Sequence, residues 1–190
     1  VLAETVARFP GVMHDQVMDV EQQREEAVKL LTPIKNKILF GLEGNHSLRS
    51  WYAAGFSVER WIADQLGIPF PGLEVIAKIN VHKQAYTLHA THGTGSTASP
   101  QAVFGKLLAQ STRVNGVDVV VRSHHHTKAL FETTVFDGED GSQRKVVLAA
   151  TGCFMSYLGS YGHRKGMRPI VPGAVKIKLY SEHHDVHGSL

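Results

Sequence analysis

The sequence predicts an α/β protein, on three observations. Short apolar, β-branched runs suited to buried strands alternate with segments of helical periodicity. The strand-like runs repeatedly end in histidine, at the chain position where open α/β sheets present polar groups to ligands. No internal repeat, low-complexity tract or Gly/Ser linker divides the chain, so residues 1–190 read as a single domain.

Each element has a local justification. Asp19 with Gln22 three residues on has the pattern of a capping box, and Val20, Ala27, Val28, Leu30 and Leu31 stripe one face until Pro33, which predicts a helix over 19–32. Residues 37–43, KILFGLE, predict a buried strand delivering Gly44-Asn45-His46 at its end. Residues 47–54 and 57–66 predict two helices parted by Gly55, with Ser57 as N-cap and Gly67, Pro69 and Pro71 closing the second. Strands are expected at 74–82 and 84–91, the second ending in Thr91-His92-Gly93. GTGSTASP is then a loop and 100–113 a helix. The β-branched run 117–121, VDVVV, leads into Ser123-His124-His125-His126. A hairpin is expected at 128–136 and 144–151 around DGEDGS, followed by an alternating strand at 173–180 and a polar, His-rich tail expected to fray.

Composition narrows the classes. The chain carries 20 Lys plus Arg against 17 Asp plus Glu, a formal charge of +3 with its 12 His neutral. With 43% hydrophobic and 19% charged residues it can bury a sizeable core, which excludes whole-chain disorder. No run approaches the roughly 20 apolar residues of a spanning helix, and VLAETVARFPG has no basic segment followed by an apolar one. A soluble, non-secreted protein without a membrane partner is expected. The single Cys153 allows no internal disulfide and fits a reducing compartment. The pI near 9.0 is mild and its cations are spread along the chain, so charge alone does not indicate a nucleic-acid binder. Histidine is the unusual residue, and its abundance points to metal or acid/base chemistry.

Asn45 with His46, His92, and His124 with His126 sit at the ends of three expected strands, which a parallel or mixed sheet would bring to one edge. Imidazoles with an Asn carbonyl and a bridging carboxylate suit divalent Mn, Fe, Zn or Ni, and the lone Cys excludes a thiolate site.

Gly44-Asn45-His46, Thr91-His92-Gly93 and Ser123-His124-His125-His126, in this order, resemble the third, fourth and fifth motifs of the calcineurin-like metallophosphoesterases. Residues 19–49 look like the phage and prophage members. The resemblance implies a four-layer α/β/β/α sandwich of two mixed sheets and two divalent metal ions, manganese among the candidates. It implies a hydrolase of phosphomonoesters or phosphodiesters, with DNA or a nucleotide favoured as substrate, acting through a hydroxide activated by the binuclear centre. Asn45, His92 and His124 would ligate one metal and His126 the other. His46 would be catalytic, protonating the leaving oxygen or stabilising charge on the phosphoryl group. A cytoplasmic location in a bacterial or phage-infected cell follows from the same resemblance. The family's Asp-x-His and Gly-Asp-x-x-Asp motifs have no match in residues 1–44, so the expectation is an N-terminally incomplete domain whose missing carboxylates lie upstream of Val1. Ser47 stands where the family has an acidic residue, and Ser123 where it has Gly.

Plainer readings accompany these. Arg49 and Arg122 can contact phosphate as charge-assisted donors, although exposed arginines are common; Arg49 is the candidate substrate-binding residue. Alternation along an extended segment would send His124 and His126 to one side and His125 to the other, leaving His125 without a role. His89 reads as packing, as do Trp51 and Trp61. His163 reads as part of a solvated loop, and Gly93-Thr94-Gly95 lacks the lysine and glycine spacing of a phosphate loop. The alternative to an enzyme is a noncatalytic metal-binding or structural fragment of such a domain. A third class, a hydrolase with one zinc on three histidines, is disfavoured by the motif order.

Overall fold

The computed structural model describes residues 17–95, 99–136, 140–159, 163, 166, 169 and 171–190. Residues 1–16, the centre of the GTGSTASP loop at 96–98 and the expected turn at 137–139 lie outside the described residues. The fold is mixed α/β, in two compact units divided between Glu74 and Val75.

The first unit is built of helices. Helix α1, Val20–Leu31, starts at the expected capping box: the Asp19 carboxylate accepts from the Gln22 amide and the Gln22 side chain accepts from the Asp19 amide. Pro33 does not end the chain's winding, because proline is tolerated in a first turn; a 3-10 helix, Thr32–Lys37, follows. Helix α2, Ser47–Ala54, closes on Gly55 in the left-handed conformation. Helix α3, Val58–Leu66, is capped by Ser57, whose hydroxyl accepts from the Arg60 amide, and closes on left-handed Gly67. The Arg24 guanidinium of α1 lies 4.3 Å from the centroid of the Trp61 ring of α3, a cation–π contact. Trp61 therefore packs as expected, but Trp51 is 54% exposed and does not.

Residues 38–43 do not form the expected strand. Their backbone makes two hydrogen bonds to the segment that follows α3, Gly41 N to Pro69 O at 2.9 Å and Glu43 N to Gly72 O at 2.8 Å. That partner segment contains Pro69 and Pro71, which have no amide to donate in return, so no ladder propagates.

The second unit is a five-stranded mixed sheet of β1 (Glu74–Val81), β2 (Gln84–Thr91), β3 (Val119–Arg122), β4 (Lys128–Phe136) and β5 (Gln143–Thr151) in the order β1-β2-β3-β5-β4, with a separate two-stranded sheet of β6 (Lys176–Leu179) and β7 (Val186–Ser189). β1, Glu74–Val81, turns through His82 (φ +54°) into β2, Gln84–Thr91. Helix α4, Pro100–Ser111, crosses over to β3, Val119–Arg122. β4, Lys128–Phe136, and β5, Gln143–Thr151, form the expected antiparallel pair. β2, β3 and β5 run parallel, with Thr91 opposite Arg122 and Arg122 opposite Ala150.

Side-chain alternation splits the core between the two faces of this sheet. Val120, Val146, Leu148 and Ala150 pack against Val103 and Leu107 of α4. Val119 and Val147 face the other way, onto Tyr86 and onto Val186 of β7. β6, Lys176–Leu179, and β7, Val186–Ser189, therefore form a layer of their own. The C-terminal tail does not fray, because Val186 is 2% exposed in that core and three polar contacts hold it. The Tyr86 hydroxyl donates to the Tyr180 carbonyl at 2.6 Å, His184 Nε2 meets the buried Asp118 carboxylate at 2.9 Å, and Lys145 pairs with Asp185 at 2.6 Å. Among the described residues no helix is long and apolar enough to cross a membrane.

Candidate functional site

Because β2, β3 and β5 are parallel, their C-terminal ends share one edge of the sheet. Thr91-His92-Gly93, Ser123-His124-His125-His126 and Thr151-Gly152 all leave the sheet there. The His92 and His124 rings meet edge to face, with centroids 5.4 Å apart and planes at 64°. Thr151 Oγ1 donates to Ser123 Oγ at 3.1 Å, tying the third strand end to the second.

The segment after β3 is not extended, so the alternation expected for its histidines does not hold. The last ladder pairing is at Arg122, and His124 (φ +74°) and His126 (φ +56°) are both left-handed. A non-glycine residue in that region is uncommon and is held by its surroundings. His124 Nε2 hydrogen-bonds the Gly95 carbonyl at 2.8 Å, and its ring also stands edge to face with that of His125, centroids 5.3 Å apart. His125 is buried, and its Nε2 accepts from Arg122 Nε at 3.3 Å. His126 is half-buried. His89 is fully buried, as its packing role requires, and exposed His163 accepts from the Gly159 amide at 3.2 Å.

Around these histidines lie Arg122, already a candidate phosphate contact, and two residues of α4 that sequence reasoning passed over, Lys106 and Gln110. Lys106 of α4 donates to the Thr94 carbonyl at 3.3 Å, and Arg122 donates to the same oxygen at 3.3 Å. Arg122 also reaches Gln110 Oε1 at 3.5 Å, while Gln110 donates to the His89 and Val121 carbonyls at 3.2 Å each. Burial, and then the charge of Arg122, push the Lys106 ammonium below the usual lysine range. The available signal was the four-residue spacing of Lys106 and Gln110, which puts both on one face of α4.

Asn45 and His46 belong to the first unit, where they form the turn into α2. Ser47 N donates to the Gly44 carbonyl at 3.2 Å, and His46 occupies the N-cap position with both residues half-buried. Two carboxylates flank the turn. Glu43, 7% exposed, accepts from the Ser57 hydroxyl at 2.7 Å, and Glu59 accepts from the Ser47 hydroxyl. Glu43 Oε1 and Glu59 Oε2 are buried oxygens without a hydrogen-bond partner among the described residues. Burial raises the Glu43 pKa, the Ser57 hydrogen bond opposes this, and the Glu59 charge adds to it. Ser47 thus recruits an acid from α3 where the motif itself has none; Glu43, next to Gly44, was readable only by adjacency. Arg49 lies in α2, and its side chain is outside the described residues.

The donor chemistry of the sheet edge fits part of a divalent-ion site. Two imidazoles on one ion, at N–metal distances of about 2.1 Å and a tetrahedral angle, place their centroids about 5.3 Å apart. His92 and His124 already stand near that separation. Among the described residues, no three His, Cys, Asp or Glu side chains are grouped to hold an ion. No family model matches the chain, and no curated protein is significantly similar to it.

Proposed function

We propose that this protein is a metal-dependent phosphoesterase of the calcineurin-like kind, hydrolysing phosphomonoesters or phosphodiesters, with nucleic acid or nucleotides as the favoured substrates. The observation that carries this reading is the pairing of His92 with His124 across the C-terminal ends of two adjacent parallel strands. Imidazoles presented together at that edge are suited to a divalent ion. The layering of α4, the five-stranded sheet and the β6-β7 sheet supports a four-layer sandwich as the complete architecture.

His92 and His124 would hold one ion and His126 a second. By the resemblance of Gly44-Asn45-His46 alone, Asn45 would be a metal ligand. When bound, such ions polarise phosphoryl oxygens and lower the pKa of an attacking water. By the same resemblance His46 would protonate the leaving oxygen or stabilise charge on the phosphoryl group, tasks suited to an imidazole near neutral pH. Arg49 steadies the substrate phosphate as a charge-assisted donor.

The test is hydrolysis of bis-p-nitrophenyl phosphate with added manganese, by the wild type and by His92→Ala. Loss of an outer-layer partner of a metal ligand already costs about 10–100-fold, so removal of a direct ligand should cost more. Wild-type turnover that depends on manganese and collapses in the variant supports the reading. Turnover unchanged in the variant, or absent from the wild type, contradicts it.

A further inference from the structure

We propose that Lys106 and Arg122, seated on the Gly93-Thr94-Gly95 loop, form an oxyanion receptor that takes a phosphoryl group. The inference deepens the phosphoesterase reading, on which its link to substrate rests, by assigning polyanionic substrates that carry phosphate beyond the group being cleaved.

Three features argue for it. The first is convergence: two cations from different elements, α4 and the end of β3, donate to one neutral carbonyl oxygen, that of Thr94. Like charges drawn together this way repel, and an oxyanion between them relieves that repulsion. Burial and the Arg122 charge act in the same direction on Lys106, so bound anion would restore its proton affinity.

The second is that the loop is shaped to admit both cations. Gly93 (φ +83°) and Gly95 (φ +97°) adopt backbone conformations that L side chains rarely take. A Cβ at Gly93 would lie 2.8 Å from Arg122 Nε, and one at Gly95 would lie 2.8 Å from Lys106 Nζ. The missing side chains are therefore the space that the two charged groups occupy.

The third is rigidity. Gln110 Oε1 and His125 Nε2 fix two edges of the Arg122 guanidinium, and Gln110 is itself anchored on two strand carbonyls. Lys106 makes its one hydrogen bond among the described residues to Thr94 and keeps further N–H donors for a ligand. The Gly95 carbonyl, bonded to His124, joins the receptor to the histidine pair. A planar fork beside a point charge is a common pairing for phosphate recognition.

The test is calorimetric titration of inorganic phosphate into EDTA-treated protein, comparing the wild type with Lys106→Ala, Lys106→Arg and Lys35→Ala. Circular dichroism verifies that each variant is folded. The expected result is binding weakened at least fivefold in Lys106→Ala, restored in Lys106→Arg and unchanged in Lys35→Ala, which removes an exposed cation away from the loop. Equal binding by Lys106→Ala, or no binding by the wild type at millimolar phosphate, overturns the receptor. Because the titration needs neither metal nor turnover, its failure is separate from failure of the phosphoesterase reading. Phosphate binding that follows Lys106 in a protein without hydrolytic activity would keep the receptor and remove the enzyme.

Discussion

His92 and His124 present their rings edge to face, 5.4 Å between centroids, from the ends of two parallel strands paired through Thr91 and Arg122. The geometry depends on a left-handed backbone at His124, φ +74°. Asparagine tolerates that conformation and β-branched residues do not. His124→Asn should therefore keep most of the stability, whereas His124→Val should cost about 1–2 kcal/mol. Urea denaturation of the two variants side by side checks this; equal stabilities would mean the backbone there is not constrained.

The carboxyl of Glu43 should make stability fall with rising pH. Its pKa is raised, chiefly by burial, so the folded protein binds more protons than the unfolded chain above the ordinary value of 4.5. Stability then decreases as pH climbs from that value through the raised one, and the full cost of the buried charge is present above it. Glu43→Gln keeps an acceptor for Ser57 and removes the charge. Its melting temperature should exceed that of the wild type at pH 7.5, with a smaller difference at pH 4.5. A pH-independent difference would place the effect in packing.

Tyr86 should be the main fastener of the C-terminal hairpin. Its buried hydroxyl bonds the Tyr180 carbonyl and accepts from the Asp185 amide at 3.2 Å. Tyr86→Phe leaves those groups without this partner and should cost about 1–3 kcal/mol, with faster proteolysis near residue 180. The Lys145–Asp185 pair adds less, being partly exposed. Asp185 is lowered mainly by its hydrogen bond to Lys145, and the same bond raises Lys145. The contribution of the pair is thus present between the ordinary values of 3.8 and 10.5. It is lost as pH falls through the depressed Asp185 pKa, or rises through the elevated Lys145 pKa.

These elements also show where the sequence was legible. The Asp19–Gln22 box, the Ser57 cap and the closing glycines at 55 and 67 depend on neighbours within a turn, and all occur as expected. β3 was legible from its β-branched run, and the β4–β5 pair from two strand-like segments flanking the turn residues DGEDGS. Residues 38–43 misled because a strand needs a donor in its partner, and Pro69 and Pro71 supply none. The tail misled because a single Val186 fits a cavity completed by Tyr86 and Val119, far away in sequence. His124 and His126 were found as candidates for the right edge of the sheet, but the turn that orients them begins where the ladder stops. Lys106 became visible only once α4 lay beside the loop.

The glycine at 93 should be irreplaceable for the loop. Gly93→Ala adds a methyl against Arg122 and a side chain at φ +83°, and should destabilise by about 1–3 kcal/mol. Gly55→Ala, at φ +62° with nothing within 4 Å of the added methyl, isolates the backbone cost alone. Chemical denaturation should therefore rank Gly93→Ala as the more damaging of the two, and the reverse order would mean the Arg122 contact yields without cost.

On the proposed reading, His92 and His124 hold a divalent ion together. Equilibrium dialysis of the purified chain against manganese or zinc, followed by elemental analysis, measures this directly for the wild type and for the His92→Ala/His124→Ala double variant. At least one ion per wild-type chain is expected, with a loss of one ion in the double variant and the fold intact by circular dichroism. Equal metal content in both proteins, or none in either, would contradict it.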